Sequence, residues 1–453
     1  MKTECSEKSA GFKPLGRREV VARFDGGDVT SDGGGLLLRE VEARTGIIRS
    51  FASCFTDHRD VSRIEHTVED LIAQRVYGLA LGYEDLNDHD ELRHDPMMAV
   101  LVGKEEPKGT DRRRSRDHGK ALAGKSTLNR LELTPAELDG DDRYKRIVLD
   151  DAKASNFFVD AFLDSHDVPP EEIILDLDAT DDPLHGRQEG RFFHGYYCTY
   201  CYLPLYIFCG DHLLCALLRP SDIDAPKGSR EELERIVGRI RARWPNVRIT
   251  IRADSGFCRE DIMSWCENNA VDYVLGIAKN KRLQRAIADE LAEAKKLCEE
   301  SGAPARVFKD FTYTTLKTWS NTRRVVGKAE HLPAKPNPRF VVTSKKKEDI
   351  AAQQLYEDLY CARGEMENRI KEQQTMLFAD RTSTHGMRSN QIRLWFSSVA
   401  YVLMNALRRT ALPGTPMERA QCDTIRLRLL KIGAQVRVTV RKIWVSLSES
   451  SPC

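Results

Sequence analysis

The stretch Glu171-Glu172-Ile173-Ile174-Leu175-Asp176-Leu177-Asp178-Ala179-Thr180-Asp181-Asp182 constrains this chain most. It begins as an apolar, β-favouring run and ends in a burst of carboxylates, whereas a buried strand normally keeps its polar residues at its edges. Period-two alternation puts Ile174, Asp176 and Asp178 on one face. An acid at the end of a buried strand is costly unless something positive meets it, and a divalent cation held by oxygen ligands is the simplest partner. Asp178 is therefore the expected first metal ligand of a nuclease-like site, with Asp176 on the same face as the alternative.

The segments that follow read as a mixed α/β sheet. Leu203–Cys209 and His212–Leu218 are strand-like and separated by Gly210-Asp211, a hairpin turn. Ser229-Arg230-Glu231-Glu232 has the form of a capping box and opens a helix with its apolar stripe at Leu233, Ile236, Val237 and Ile240. Val247–Asp254 is a second strand ending in an acid, followed by a helix near 259–269 and a strand over 273–277. Residues 302–345 suggest short strands among many Lys and Arg, a β-rich insertion. Within it, Trp319 either stacks on an unpaired base or is a buried structural residue. His194, Cys198 and Cys201 contain a C-x-x-C, but no second ligand pair lies at zinc spacing, and the Tyr- and Phe-rich segment reads as core.

Earlier in the chain, the first ~20 residues look poorly ordered. Asp25-Gly26-Gly27 and Gly33-Gly34-Gly35 bracket a turn before a helix at Leu36–Val41, and Thr67-Val68-Glu69-Asp70 is a capping box opening another. The His and Asp residues between Leu86 and Pro96 read as caps and polar helix faces rather than metal ligands. Arg112, Arg113 and Arg114 centre the most basic loop, either a solvated face or a contact for DNA phosphates. Gly119–Ser126 matches the phosphate-loop pattern letter for letter, but no apolar strand precedes it, so nucleotide binding is not expected. Ser126–Glu132 reads as a short helix. Thr134-Pro135-Ala136-Glu137 would cap another, and the two together would suit a weakly signalled helix-turn-helix.

A later helical stretch carries Tyr360, Arg363, Glu367 and Lys371, which fall in one narrow sector at 100° per residue. An acid flanked by two cations and a phenol suits a catalytic carboxylate beside groups that hold a phosphate backbone, although exposed salt-bridge faces are common on helices. Asn390–Arg409 suits a buried helix against the sheet. The basic tail beyond Pro413-Gly414 either clamps DNA or a partner subunit, or is a packed extension.

The net charge of +1 leaves nucleic acid neither favoured nor excluded. No run of 18 apolar residues and no signal-peptide core is present, so no membrane association and a cytoplasmic location are expected.

Together these motifs resemble the DDE transposases of bacterial insertion sequences, most closely the insertion-sequence 1380 family. The resemblance spans most of the chain. It includes Asp25-Gly26-Gly27 with Thr30-Ser31-Asp32, Gly82–Asp88, Ser126–Arg130, Leu177–Pro183, Arg252-Ala253-Asp254-Ser255-Gly256-Phe257, the Tyr360 helix and Leu429–Ala434. Tyr360, Arg363 and Glu367 match the group's Y-x-x-R-x-x-x-E signature, while Gln374 stands where a lysine is expected and Lys371 keeps a cation one turn after the glutamate.

The resemblance implies a ribonuclease H-like mixed-sheet catalytic core over 165–277 and 350–410, interrupted by the β-rich insertion at 278–349. A mainly helical DNA-binding and dimerisation region over 1–150 and a C-terminal extension at 411–453 complete the expected organisation. It also implies that Asp178, Asp254 and Glu367 hold Mg²⁺, with Mn²⁺ as a substitute, for two-metal cleavage and strand transfer. The implied partners are double-stranded DNA, as terminal inverted repeats and target, and a second copy of the chain. Tyr360, Arg363, Lys371, Trp319 and Arg112–Arg114 are the expected DNA contacts. The rival readings are a nuclease of the same fold that cuts without joining, and a catalytically silent, sequence-specific DNA-binding descendant.

Overall fold

The computed structural model describes residues 9–138 and 144–449. The chain divides into two compact units, one of residues 1–150, 376–378 and 399–453, the other of residues 151–375 and 379–398.

In the first unit the helix Val68–Leu81 is buried at every position but Glu69 and Asp70. Its expected capping box is present: Asp70 N–H donates to the Thr67 hydroxyl at 3.1 Å, and Thr67 N–H donates to the Asp70 carboxylate at 2.8 Å. Such a cap contributes about 1 kcal/mol. The polar residues inside this helix are partnered, as burial requires. Gln74 exchanges two hydrogen bonds with the Ala123 backbone, and Arg75 pairs with buried Glu132 at 2.9 Å. Asp85 and Asp95 cap the helical turns that follow them, in line with the capping reading of that segment.

The glycine-rich segment holds more than a turn. Asp28–Thr30 is a strand paired with Ala434–Val438, which pairs in turn with Ile443–Leu447. A Cβ on Gly34 would lie 1.8 Å from the Leu429 carbonyl oxygen, so close backbone approach is what demands glycine there. Asp32 accepts from the Tyr83 hydroxyl at 2.6 Å and meets Lys431 Nζ at 2.7 Å. Arg426 donates to the carbonyls of Leu79, Ala80 and Met376. Of the two readings of the tail, these contacts fit the packed extension.

Two expectations fail in this unit. Residues 9–15 and 18–23 form an exposed two-stranded hairpin instead of lacking order; residues 1–8 lie outside the described residues. Lys125–Glu132 is a helix, but no helix follows over 133–138, where Pro135 O instead accepts from Leu149 N–H. The helix-turn-helix reading goes with it. The phosphate-loop letters stand after a 3₁₀ turn, Ser115–Asp117, rather than after a strand.

The second unit is built on a nine-stranded mixed sheet. It opens with helix α1 (Asp151–Asp164), then β1 (Glu172–Ala179), β2 (Leu205–Cys209) and β3 (His212–Leu217). Helix α2 (Ser229–Arg243), β4 (Arg248–Ala253), α3 (Glu260–Asn268) and β5 (Asp272–Ile277) follow. Helix α4 (Ala288–Ser301) leads to β6 (Ala305–Tyr313), β7 (Arg323–Leu332) and β8 (Arg339–Thr343). The spatial order is β3-β2-β1-β4-β5-β8-β7-β6, with Lys335–Pro336 paired beside β7. Strands β1, β4 and β5 are parallel; the others pair antiparallel.

The strands of 302–345, expected as an insertion, thus continue the same sheet beyond β5. Leu175, Leu177, Ile251, Tyr273 and Leu275 are fully buried, each such side chain worth about 1.5–3 kcal/mol. The stripe Leu233, Ile236, Val237 and Ile240 of α2 packs into this core. Its N-cap is Gly228, however, not Ser229, which is buried at the first helical position without a capping bond.

The helical run 352–376 is not a regular α-helix. Leu355–Tyr360 and Glu372–Met376 are π-helical, Cys361–Arg363 is a 3₁₀ turn, and only Gly364–Lys371 between them (α5) is a full α-helical segment. Met387–Ala411 forms one 25-residue helix, α6. Near its start, Gln391 accepts from Leu218 N–H and donates to Ala216 O at the β3 edge, which shields that edge from further strand pairing.

Candidate active site

Parallel neighbours deliver their C-terminal ends to one edge of a sheet, where open α/β sheets commonly bind ligands. β1 and β4 pair in register with Leu177 opposite Ala253, so one residue further Asp178 and Asp254 come level. Both line a cleft of about 650 Å³, together with Arg363, Glu367 and Lys371 of the 352–376 run and Gln374. Three segments far apart in sequence therefore bring the three predicted acids to one place.

Asp178 is short of partners. Its Oδ1 accepts from Ala179 N–H at 3.0 Å, and its Oδ2 lies 3.7 Å from Arg363 Nη1. Burial pushes its carboxyl up to about 6; the guanidinium of Arg363 opposes this, and the charges of Asp254 and Glu367 add to it. Arg363 also reaches Glu367 at 3.4 Å and so bridges two of the acids. Asp254 holds its own loop by accepting from Gly256 N–H at 2.8 Å. Gln374 donates to Asp181 O at 3.0 Å.

Asp176, on the same face of β1, has a different environment. Arg252, its register partner on β4, clamps it with two bonds at 2.5 and 2.7 Å and donates a third to Leu359 O. Its charge is met inside the sheet, and it does not line the cleft.

The donor chemistry suits a hard divalent cation: carboxylate side chains only, with Asp178 half-buried and crowded by like charge. In the present side-chain positions, no three His, Cys, Asp or Glu among the described residues converge on one ion position, and Glu367 lies 3.4 Å from Arg363.

Several predicted residues do not line the cleft. Tyr360 stands beside it, where a π-helical turn gives way to a 3₁₀ turn. It packs on Tyr356, with ring centroids 5.6 Å apart, and its hydroxyl lies against Gly276. Trp319 is half-buried against Tyr313 and under the Arg323 guanidinium, and it is not among the residues that line the cleft. Arg112–Arg114 belong to the first unit, where Arg112 pairs with Glu65 at 2.5 Å and Arg113 donates to Ser62 O.

Two contributors were missed in the sequence. A Cβ on Gly276 would come within 2.6 Å of the Tyr360 hydroxyl and 3.0 Å of Ser255 N, so this glycine lets the Asp254 loop and the helical run approach β5. Its place inside a strand was the available signal. The second is the Tyr- and Phe-rich segment expected in the core. It forms a hairpin, Phe192–His194 against Thr199–Tyr202, with Phe193, Tyr196 and Tyr200 exposed, and Tyr196, Tyr197 and His194 line the cleft.

No helix among the described residues is long and apolar enough to cross a membrane. No curated protein is a significant match to the chain. Among solved structures, the chain is similar to one in the cryo-EM structure of the piggyBac transposase synaptic complex with hairpin DNA. The identity is 13% over 87% of this chain and 80% of that one, with a TM-score of 0.37, too distant a likeness to inform the site. The model of the transposase DDE domain group 1 family matches residues 12–453, nearly the whole length, and the chain belongs to that family.

Proposed function

We propose that the chain is an insertion-sequence transposase, resembling the 1380 family, that binds the terminal inverted repeats of its element and cleaves and joins DNA strands. The observation that carries this reading is the cleft that Asp178, Asp254 and Glu367 line together with Arg363 and Lys371. The sheet order β3-β2-β1-β4-β5, with β2 antiparallel to its neighbours β1 and β3 and with β1, β4 and β5 parallel, supports a ribonuclease H-like core. In this reading, residues 1–150 serve DNA binding and dimerisation.

Asp178, Asp254 and Glu367 would hold Mg²⁺, or Mn²⁺ in its place. Bound there, the ions would supply acidification of a water or DNA 3′-hydroxyl and charge stabilisation at the leaving oxygen. Arg363 releases the acids it now bridges and takes a phosphate oxygen of the scissile strand, with Lys371 placed for the neighbouring phosphate. Tyr360 acts through position rather than contact: seated against Gly276, it fixes the start of the segment that carries Arg363 and Glu367.

The test is cleavage of DNA carrying the inverted repeats that flank the gene, with Mg²⁺, by wild type and by Asp178→Ala, Asp254→Ala and Glu367→Ala. Nicking at the repeat tip by wild type, and binding without nicking by all three variants, is the expected result. Strand-transfer products distinguish a transposase from a nuclease that only cuts. Binding of the ends without cutting under any divalent ion would make the chain a silent DNA-binding protein and sink the enzyme reading.

A further inference from the structure

The 192–202 hairpin has a composition that burial would explain and an exposure that burial forbids. Phe192, Phe193 and Tyr200 are 43%, 57% and 43% exposed, and Tyr196 at the loop is 84% exposed. Apolar and aromatic surface left to water in this concentration marks a contact surface.

Three further observations identify what it contacts. First, the hairpin is fixed to the strand that carries Asp178 by the Tyr197 hydroxyl, which donates to Ala179 O at 3.2 Å, and is held from the loop after β3 by Ser221 Oγ, which donates to Phe192 O at 2.9 Å. Second, the rings are ordered outward from the cleft. His194 lies against Tyr197, with centroids 4.9 Å apart, and Tyr197 meets Tyr196 edge-on at 5.0 Å, so the outermost ring keeps an open face. Third, a cation stands among the rings: Arg191 lies over the Tyr200 ring at 3.7 Å, and the segment from Arg191 to Cys209 itself carries no acid. Aromatic faces beside cations, continuous with a phosphate-handling cleft, are the means by which unpaired bases are held without sequence reading.

We propose that the 192–202 hairpin is a base-stacking platform, with Tyr196 stacking on an unpaired base of the DNA strand whose phosphate enters the Asp178–Asp254 cleft. The proposal rests on the DNA-processing reading above and adds to it a substrate form: duplex DNA opened by a few nucleotides at the point of cutting. A stacked base fixes the strand beside its phosphate, which is the positioning that phosphoryl transfer in the cleft requires.

The experiment compares two probes of one sequence, a gene-flanking repeat end fully paired and the same end with its last few nucleotides unpaired, 2-aminopurine being placed in that stretch. Binding by the full chain is measured without divalent ions for wild type, Tyr196→Phe and Tyr196→Ala. Wild type and Tyr196→Phe are expected to quench 2-aminopurine in the unpaired probe. Tyr196→Ala is expected to lose the quenching and bind that probe roughly 5- to 150-fold more weakly, with binding of the paired probe unchanged. Because the Tyr196 side chain is exposed, its removal leaves the core intact.

Equal binding of both probes by wild type without quenching would overturn the platform and leave the transposase reading standing. An equal loss on both probes in Tyr196→Ala would overturn it as well, by showing a general DNA contact. A change of oligomeric state in Tyr196→Ala with quenching retained would overturn it in favour of an interface between copies. Failure of wild type to bind either probe would remove the DNA reading itself.

Discussion

Asp176 and Asp178 stand two residues apart on one face of one strand, each beside an arginine, yet the two pairs are built for different ends. Asp176 receives both of its bonds from Arg252 at 2.5 and 2.7 Å, and Arg252 passes a third to Leu359 O. Asp178 has one backbone bond and a guanidinium at 3.7 Å that it shares with Glu367. The first pair is closed: every charge has its counter-charge, and the sheet is joined through it to the helical run. The second is open, with a carboxyl pushed up to about 6 and an arginine divided between two acids. A buried acid on an expected face is therefore not enough to name a ligand. What distinguishes it is whether the fold has already satisfied it.

The sharpest way to test this contrast is to remove the open acids. Asp178→Asn, Asp254→Asn or Glu367→Gln should each lower DNA cleavage by about ten-thousandfold or more, roughly 5.5 kcal/mol of barrier, while circular dichroism and Tm stay near wild type. Asp176→Ala should do the reverse in kind. It strands Arg252 in the sheet and should cost about 3–5 kcal/mol of stability, measurable as a fall in the denaturant midpoint. If Asp176→Ala leaves stability intact and abolishes cleavage, the roles of the two acids are exchanged.

Arg363→Ala should lower cleavage by about a hundredfold, roughly 2.7 kcal/mol, with the protein folded and DNA binding only weakened. Normal cleavage by this variant would rule out its phosphate role.

Asp182 gives a third, smaller comparison: a buried acid with neither an arginine nor an opening. Burial pushes its carboxyl up to about 8; the Thr382 hydroxyl bond opposes this, and the charges of Asp380 and Asp181 add to it. With a folded value above the ordinary 3.8, the folded state holds the proton more tightly. This group's contribution is thus fully present below about pH 4 and is lost as pH rises toward 8. Asp182→Asn should raise Tm by a few degrees at pH 8 and leave it nearly unchanged at pH 4. A uniform shift at both values would show that the carboxyl does not titrate in that range.

Much of the sheet was legible because its signals are local. The alternation in Glu172–Ala179, the hairpin at Gly210-Asp211 and the stripe of α2 each report a burial pattern that a few neighbouring residues decide. The capping box at Thr67 was legible and present; its look-alike at Ser229 was absent, because Gly228 took the cap and Ser229 was drawn into the core. The aromatic hairpin was misread because composition says that rings seek burial, and only the surrounding fold says whether there is an interior for them to enter. The helical wheel that grouped Tyr360 with Arg363 and Glu367 assumes regular turns, whereas the run around it mixes π, 3₁₀ and α geometry.

The sequence by itself determined the central strands β1 to β5, the acid at the end of each of two of them, and the arginine and glutamate one helical turn apart. Those follow from residue chemistry and short-range periodicity. The tertiary structure alone decided that Arg252 claims Asp176 and leaves Asp178 to the cleft, that Gly276 admits the Asp254 loop, and that Tyr196 faces outward. Each of these depends on which distant segments pack together, and no local pattern encodes the partner that a side chain meets across a sheet.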